Sequence, residues 1–320
     1  MTSRRFVGTS LLLYLVATAS LAGVHVVADP FGLFRSTGGP TRTSYGDERA
    51  ARYLMSLRYI PENFDGLLVG MSLSGNIDTS RLTGVRVYNA SINGGTVTEI
   101  ALVAANALRL GSMKILVVGF GPQLVGRSGF LTDSMKPRER LSALGSVQSL
   151  RMFASQLAVA LGWKRWPCTP YGVNAFQLMA PPRTPDEVGK VIRESCVNPS
   201  PLPVDEEAFR EFAGMVRAAH ERGTRVLVYY HPVPRACYVN WGDSHRVLRE
   251  RVAALLEPGD LAVNFNDDAY RAFTEDPANY FDTMHLTGQG AERVLAELQP
   301  YVDQVLAGNA AERPRDGGER

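Results

Sequence analysis

The chain has 320 residues, 45% of them hydrophobic, and its 34 Lys plus Arg against 32 Asp plus Glu give a formal net charge of +2. That apolar fraction excludes a largely disordered chain. So even a charge balance also argues against a dedicated nucleic-acid binder, which draws on a strong basic excess. The +2 sits wholly in Arg4 and Arg5, because the residues after position 28 hold 32 basic and 32 acidic side chains.

From Phe6 to Ala28 the sequence runs for 23 residues without Asp, Glu, Lys or Arg. That is the length a helix needs to cross about 30 Å of hydrocarbon. Two arginines precede it, so the positive-inside rule places Met1 in the cytoplasm and the body outside the membrane. The competing reading is a cleaved signal peptide, with Val26-Val27-Ala28 as a loose small-residue site before Asp29. The apolar run exceeds the usual signal core, which favours a retained single-pass anchor.

Residues 29–58 read as a polar connector that includes DPFGLFR. An α/β domain is expected over 59–307, with short apolar strands alternating with helices. Gly66–Gly70, Val85–Ser91, Lys114–Phe120, Arg225–Tyr230 and Leu261–Phe265 are the expected strands, and Lys114–Phe120 and Arg225–Tyr230 are near-continuous apolar runs of the kind buried on both faces. Helices are expected at Thr96–Leu110, with a Thr96/Glu99 capping box and Gly111 as its stop, and at about 205–222, 244–256 and 287–306. The alternation argues a parallel sheet in a three-layer α/β sandwich. An insertion at about 121–203 carries one expected helix near 142–161 and then a Pro-rich stretch. Residues 308–320, with three acids and three arginines, read as a disordered tail.

Three cysteines fit an exported protein. Cys168 and Cys196 bracket one irregular segment and could pair, leaving Cys237 free. There is no CxxC pair, and the five histidines lack metal-ligand spacing. No metal or organic cofactor is implied.

In an open parallel sheet, ligands bind beyond the carboxyl ends of the strands. There the sequence places Met71-Ser72-Leu73-Ser74-Gly75-Asn76, then Asn89-Ala90-Ser91-Ile92-Asn93-Gly94-Gly95-Thr96, then His231-Pro232, and finally Asp282-Thr283-Met284-His285. A serine hydroxyl becomes a nucleophile when an imidazole takes its proton, and that imidazole needs a carboxylate to fix its tautomer. Asp282 and His285, three apart, suit that pairing in a tight loop. Gly94 and Gly95 lie where the free amides of the following helix point outward, a setting suited to an oxyanion. Each residue alone has a plainer role: Ser72 as an N-cap, Asp282 and His285 as caps of the last helix, His231 as a structural histidine before Pro232. Ser74 is a rival nucleophile.

Taken together, Gly70-x-Ser72, Asn89-Ala-Ser-Ile-Asn-Gly94 and Asp282-x-x-His285 resemble, in order and place, the sequence blocks of the SGNH (GDSL-type) hydrolases. The N-terminally anchored layout is similar to the SGNH-like proteins of cell-envelope O-acylation, the alginate O-acetylation and DltD-like groups. The resemblance implies a flavodoxin-like sheet, with Ser72 as nucleophile, His285 as general base and Asp282 as its orienting acid. The Ser72 and Gly94 amides would be oxyanion donors. Family members usually add an Asn after the third strand, but this chain reads Gly119-Phe120-Gly121-Pro122 there. Asn93 and Asn76 are the candidate substitutes, and His231 is a candidate pocket residue. The implied activity is esterase or O-acyltransferase chemistry through an acyl-Ser72 intermediate. The implied partners are a cell-envelope glycan or acyl donor, the membrane, and a membrane-bound acyltransferase. A non-catalytic SGNH-like glycan-binding or accessory protein is the alternative. A nucleotide-binding domain fits poorly, for want of a full GxGxxG or P-loop.

Overall fold

The computed structural model describes residues 3–29, 31–34, 47–143, 146–163, 169–174, 183–198 and 201–312. Five strands, β1 (Gly66–Gly70), β2 (Val87–Asn89), β3 (Ile115–Phe120), β4 (Arg225–Tyr230) and β5 (Leu261–Asn264), form one parallel sheet in the order β2-β1-β3-β4-β5. Strand side chains alternate between two separate cores. Leu67, Val69, Leu116, Val118, Val226 and Val228 face one side, against the helices Val97–Leu110 and Glu206–His220. Leu68, Ile115, Val117, Leu227 and Tyr229 face the other, against the helices Pro185–Ser195 and Gly288–Glu312. Both faces of the sheet are covered, which makes the three-layer α/β sandwich expected from the continuous apolar runs.

This strand order has a consequence for function. The chain leaves β1 toward β2 on one side and returns to β3 on the other, so the connections diverge between β1 and β3. A crevice opens at the carboxyl ends of that strand pair, the switch point where ligands bind in such sheets.

The helix Ser3–Ala28 spans 26 residues, about 39 Å at 1.5 Å per residue. Its stretch Arg5–Val24 is long and apolar enough to cross a bilayer, and none of it is buried in the body.

The structure departs from the sequence reading in four places. The described parts of the connector pack on the domain: Phe31 is buried, and the helix Glu48–Met55 buries Ala51, Leu54 and Met55 against the first core. The insertion holds a further helix, Pro185–Ser195, whose Thr184/Glu187 capping box and Pro at the first turn mark its start. The last helix runs on to Glu312, into the segment read as tail, and residues 313–320 lie outside the described residues. Finally, Cys237 is not free. It forms a disulfide with Cys196, the C-cap of the helix Pro185–Ser195, across a Cα separation of 4.7 Å. Cys168 lies outside the described residues.

Candidate active site

The chain reverses sharply after β1. Gly70 closes the strand where a Cβ would come within 2.8 Å of Ser74 Oγ, and Ser72–Ser74 then form one 3-10 turn. Asn89, at the end of β2, is fully buried and ties this turn to the sheet. Its Nδ2 donates to the carbonyls of Ser74 (2.8 Å) and Ile77 (3.0 Å), while its Oδ1 accepts from the Ser91 N–H. The turn lifts Ser72 into the crevice and buries Ser74 completely.

Across the crevice, a tight loop presents the histidine. The Phe281 N–H donates to the His285 carbonyl at 2.7 Å, and Tyr280 bridges Leu286 in antiparallel fashion. Within it Asp282 Oδ1 accepts the backbone N–H groups of Met284 (2.8 Å) and His285 (2.7 Å). Its other oxygen, Oδ2, lies 2.8 Å from His285 Nδ1, and His285 Nε2 lies 2.9 Å from Ser72 Oγ. With Nδ1–H donating to the carboxylate, Nε2 is left as the acceptor of the serine proton, a geometry suited to general-base catalysis. Burial alone would raise the Asp282 carboxyl, but the hydrogen bonds from the His285 ring and backbone and from Met284 hold it below the usual carboxylate range. The acid therefore stays ionised at neutral pH.

Under this loop lies His231, 3% exposed, immediately after β4. Its Nε2–H donates to the Met284 carbonyl at 3.0 Å, so it props the histidine loop from below. Burial pushes its pKa from 6.5 down to about 3, and it is neutral. Asn76 is likewise committed: its Nδ2 donates to the Leu286 carbonyl at 2.9 Å.

The Asn93–Gly94 loop follows β2, the strand paired with β1. Gly94 adopts φ +58°, a left-handed conformation that glycine takes at little cost. The N–H groups of Gly94 and Ser72 donate to no group among the described residues. Unpaired backbone amides of this kind are able to donate to an anionic oxygen. The Asn93 N–H, by contrast, is engaged with Glu48 Oε2 at 3.2 Å.

Two contributions escaped the sequence reading. One is Glu48 with Arg49, on a helix far from the loop in sequence. The other is Gln123, two residues beyond the Gly121 that stands where the resemblance expects an Asn nearby. A Cβ on Gly121 would lie 3.1 Å from Gln123 Oε1, so the Gln123 amide fills the space beside Gly121. Its Nε2 is 3.7 Å from the Met284 sulfur, next to His285. A side-chain amide just past β3 is a readable signal, but its direction depends on the turn Pro122–Val125. Among the described residues no cluster of His, Cys, Asp and Glu could hold a metal ion.

No family model and no curated protein matches the sequence. Two solved structures are similar to it. One is a Streptococcus pneumonia protein described as a platelet activating factor, 12% identical, with a TM-score of 0.44 over 80% of this chain and 91% of that one. The other is TesA, 14% identical, with a TM-score of 0.39 over 75% of this chain and 98% of that one.

Proposed function

We propose that this chain is an SGNH-like serine esterase or O-acyltransferase, held at the membrane by its N-terminal helix with the main domain outside the cytoplasm. It acts on O-acyl groups of a cell-envelope glycan or polymer. One observation carries the reading: an unbroken hydrogen-bonded line from Ser72 Oγ through His285 to Asp282, at the switch point of the sheet.

In the first half-reaction His285 Nε2 takes the Ser72 proton as the serine oxygen bonds to the ester carbonyl carbon. The carbonyl oxygen becomes an oxyanion facing the Ser72 and Gly94 amides. The ester C–O bond then breaks, and the imidazolium returns its proton to the departing alkoxide, leaving an acyl-serine. Water or an acceptor hydroxyl reverses the sequence, giving hydrolysis or transfer. Asp282 stabilises the imidazolium throughout. The Gln123 amide, beside Gly121 and Met284, is a candidate third oxyanion donor in place of the missing Asn.

The competing reading is an SGNH-like accessory protein that binds a glycan without turnover, and Gly121 in the usual Asn position favours it. Labelling of the full-length protein with a fluorophosphonate separates the two. The enzyme reading predicts label on wild type and on Ser74→Ala, whose hydroxyl is buried, and none on Ser72→Ala. Folded wild-type protein that takes no label contradicts it.

A further inference from the structure

The Gly94 N–H belongs to the peptide that joins Asn93 to Gly94. The peptides on either side of it are both fixed by side chains from consecutive residues of one helix, Glu48–Met55. Before it, the Asn93 N–H donates to Glu48 Oε2 at 3.2 Å. After it, the Gly94 carbonyl accepts Arg49 Nη2 at 2.8 Å. A peptide whose two neighbours are held cannot rotate freely, and glycine at φ +58° provides little stiffness of its own.

The two holding side chains are themselves anchored. Arg49 Nε donates to both oxygens of Glu99, each at 3.1 Å. Glu99 is fully buried and also closes the capping box of the helix Val97–Leu110 by accepting the Thr96 N–H. Glu48 accepts Asn174 Nδ2 at 3.3 Å, and the Asn174 N–H donates to the Gly75 carbonyl at 2.7 Å. Gly75 in turn donates its N–H to the Ser72 carbonyl. Burial raises the Glu48 carboxyl, with the Arg52 and Arg49 charges and the Asn93 and Asn174 hydrogen bonds opposing that rise. One helix therefore touches both the oxyanion loop and, through Asn174, the nucleophile turn.

From this geometry we infer that Glu48 and Arg49 form a clamp that aims the Gly94 N–H at the oxyanion of the Ser72 reaction. They are positioning residues, since neither needs to touch substrate, and the inference rests on the acyl-serine reading above. Displacing a donor by a fraction of an ångström costs transition-state stabilisation and leaves ground-state binding largely intact.

The test uses full-length protein in detergent, with p-nitrophenyl acetate as substrate and a trifluoromethyl ketone as a probe that forms an oxyanion on serine. Arg49→Met and Glu48→Gln are expected to lower kcat by roughly 10- to 100-fold with KM within about threefold. Ketone affinity should fall in parallel with kcat, and Arg49→Lys should recover part of both. Ser72-dependent turnover whose kcat and ketone affinity survive Arg49→Met and Glu48→Gln overturns the clamp alone. So does a loss confined to thermal stability in Arg49→Lys. Wild-type turnover no higher than that of Ser72→Ala overturns the acyl-serine reading, and the clamp with it.

Discussion

The loop that carries His285 and the loop proposed to carry the oxyanion donor Gly94 are built in opposite ways. The histidine loop is local: Asp282 reaches His285 and the two backbone amides between them, all within three residues. The Asn93–Gly94 loop is remote: its peptides hang on Glu48 and Arg49, about forty-five residues upstream, and on Asn174 far downstream through Glu48. A local motif keeps its geometry wherever the fold places it. A remote one is only as precise as the tertiary packing that brings its parts together. The contrast sets a loop shaped by its own short-range hydrogen bonds, and only braced by His231 and Asn76, against one shaped by residues distant in sequence.

Changes within the histidine loop should act on chemistry rather than folding. Asp282→Asn keeps one oxygen for the backbone amides but turns an N–H donor toward the ring, forcing the wrong tautomer. It should lower kcat for a p-nitrophenyl ester by about 10³- to 10⁴-fold with little change in thermal melting. A loss below tenfold would mean that Asp282 serves the loop and not the imidazole.

Gln123→Ala tests a side-chain amide that lies past β3, beside Gly121 and Met284, as the proposed third oxyanion donor. A fall in kcat of about tenfold, with KM held, is the expected result, smaller than for a fully enclosed donor because Gln123 is exposed. Unchanged kcat would leave the two backbone amides as the complete oxyanion site.

The smallest effect is on stability and concerns His231, the prop beneath the histidine loop. The folded pKa of His231, about 3, lies below its ordinary 6.5, so the unfolded chain binds more protons between those values. Its contribution is fully present above pH 6.5 and is lost as pH falls toward 3, at up to about 1.4 kcal/mol per pH unit. His245, pushed by burial to about 4, adds a slope of the same sign. Urea midpoints against pH should therefore be flatter for His231→Gln than for wild type. Parallel curves would show that His231 does not stay neutral in the folded protein.

The same contrast explains what could be read from the sequence. The near-continuous apolar strands announce a sheet covered on both faces, because only burial on two sides removes the polar alternation. Ser72, Gly94 and the Asp282–His285 pair are legible because strand ends and short spacings fix where such residues go. Glu48 and Arg49 are not legible. In the sequence they are ordinary charged residues opening an amphipathic helix, and their partners are set by tertiary contact. The disulfide was hidden for the same reason: Cys196 meets Cys237 only because the helix Pro185–Ser195 ends beside the short helix Arg235–Val239. That first helix itself was obscured by the prolines around it, although Thr184 and Glu187 spell its start. Phe31 shows the limit of composition: one aromatic in a polar stretch is buried in the same core cluster as Tyr59, a tertiary contact that composition does not announce.

An acyl group carried on Ser72 during turnover is the event on which the proposed chemistry depends. Intact-mass measurement of full-length protein quenched in acid seconds after mixing with p-nitrophenyl acetate, followed by peptide mapping, tests it directly. One added acetyl group is expected on Ser72, accumulating further when deacylation is slowed and absent in Ser72→Ala. An adduct on Ser74 or elsewhere, or turnover that continues in Ser72→Ala, would contradict it.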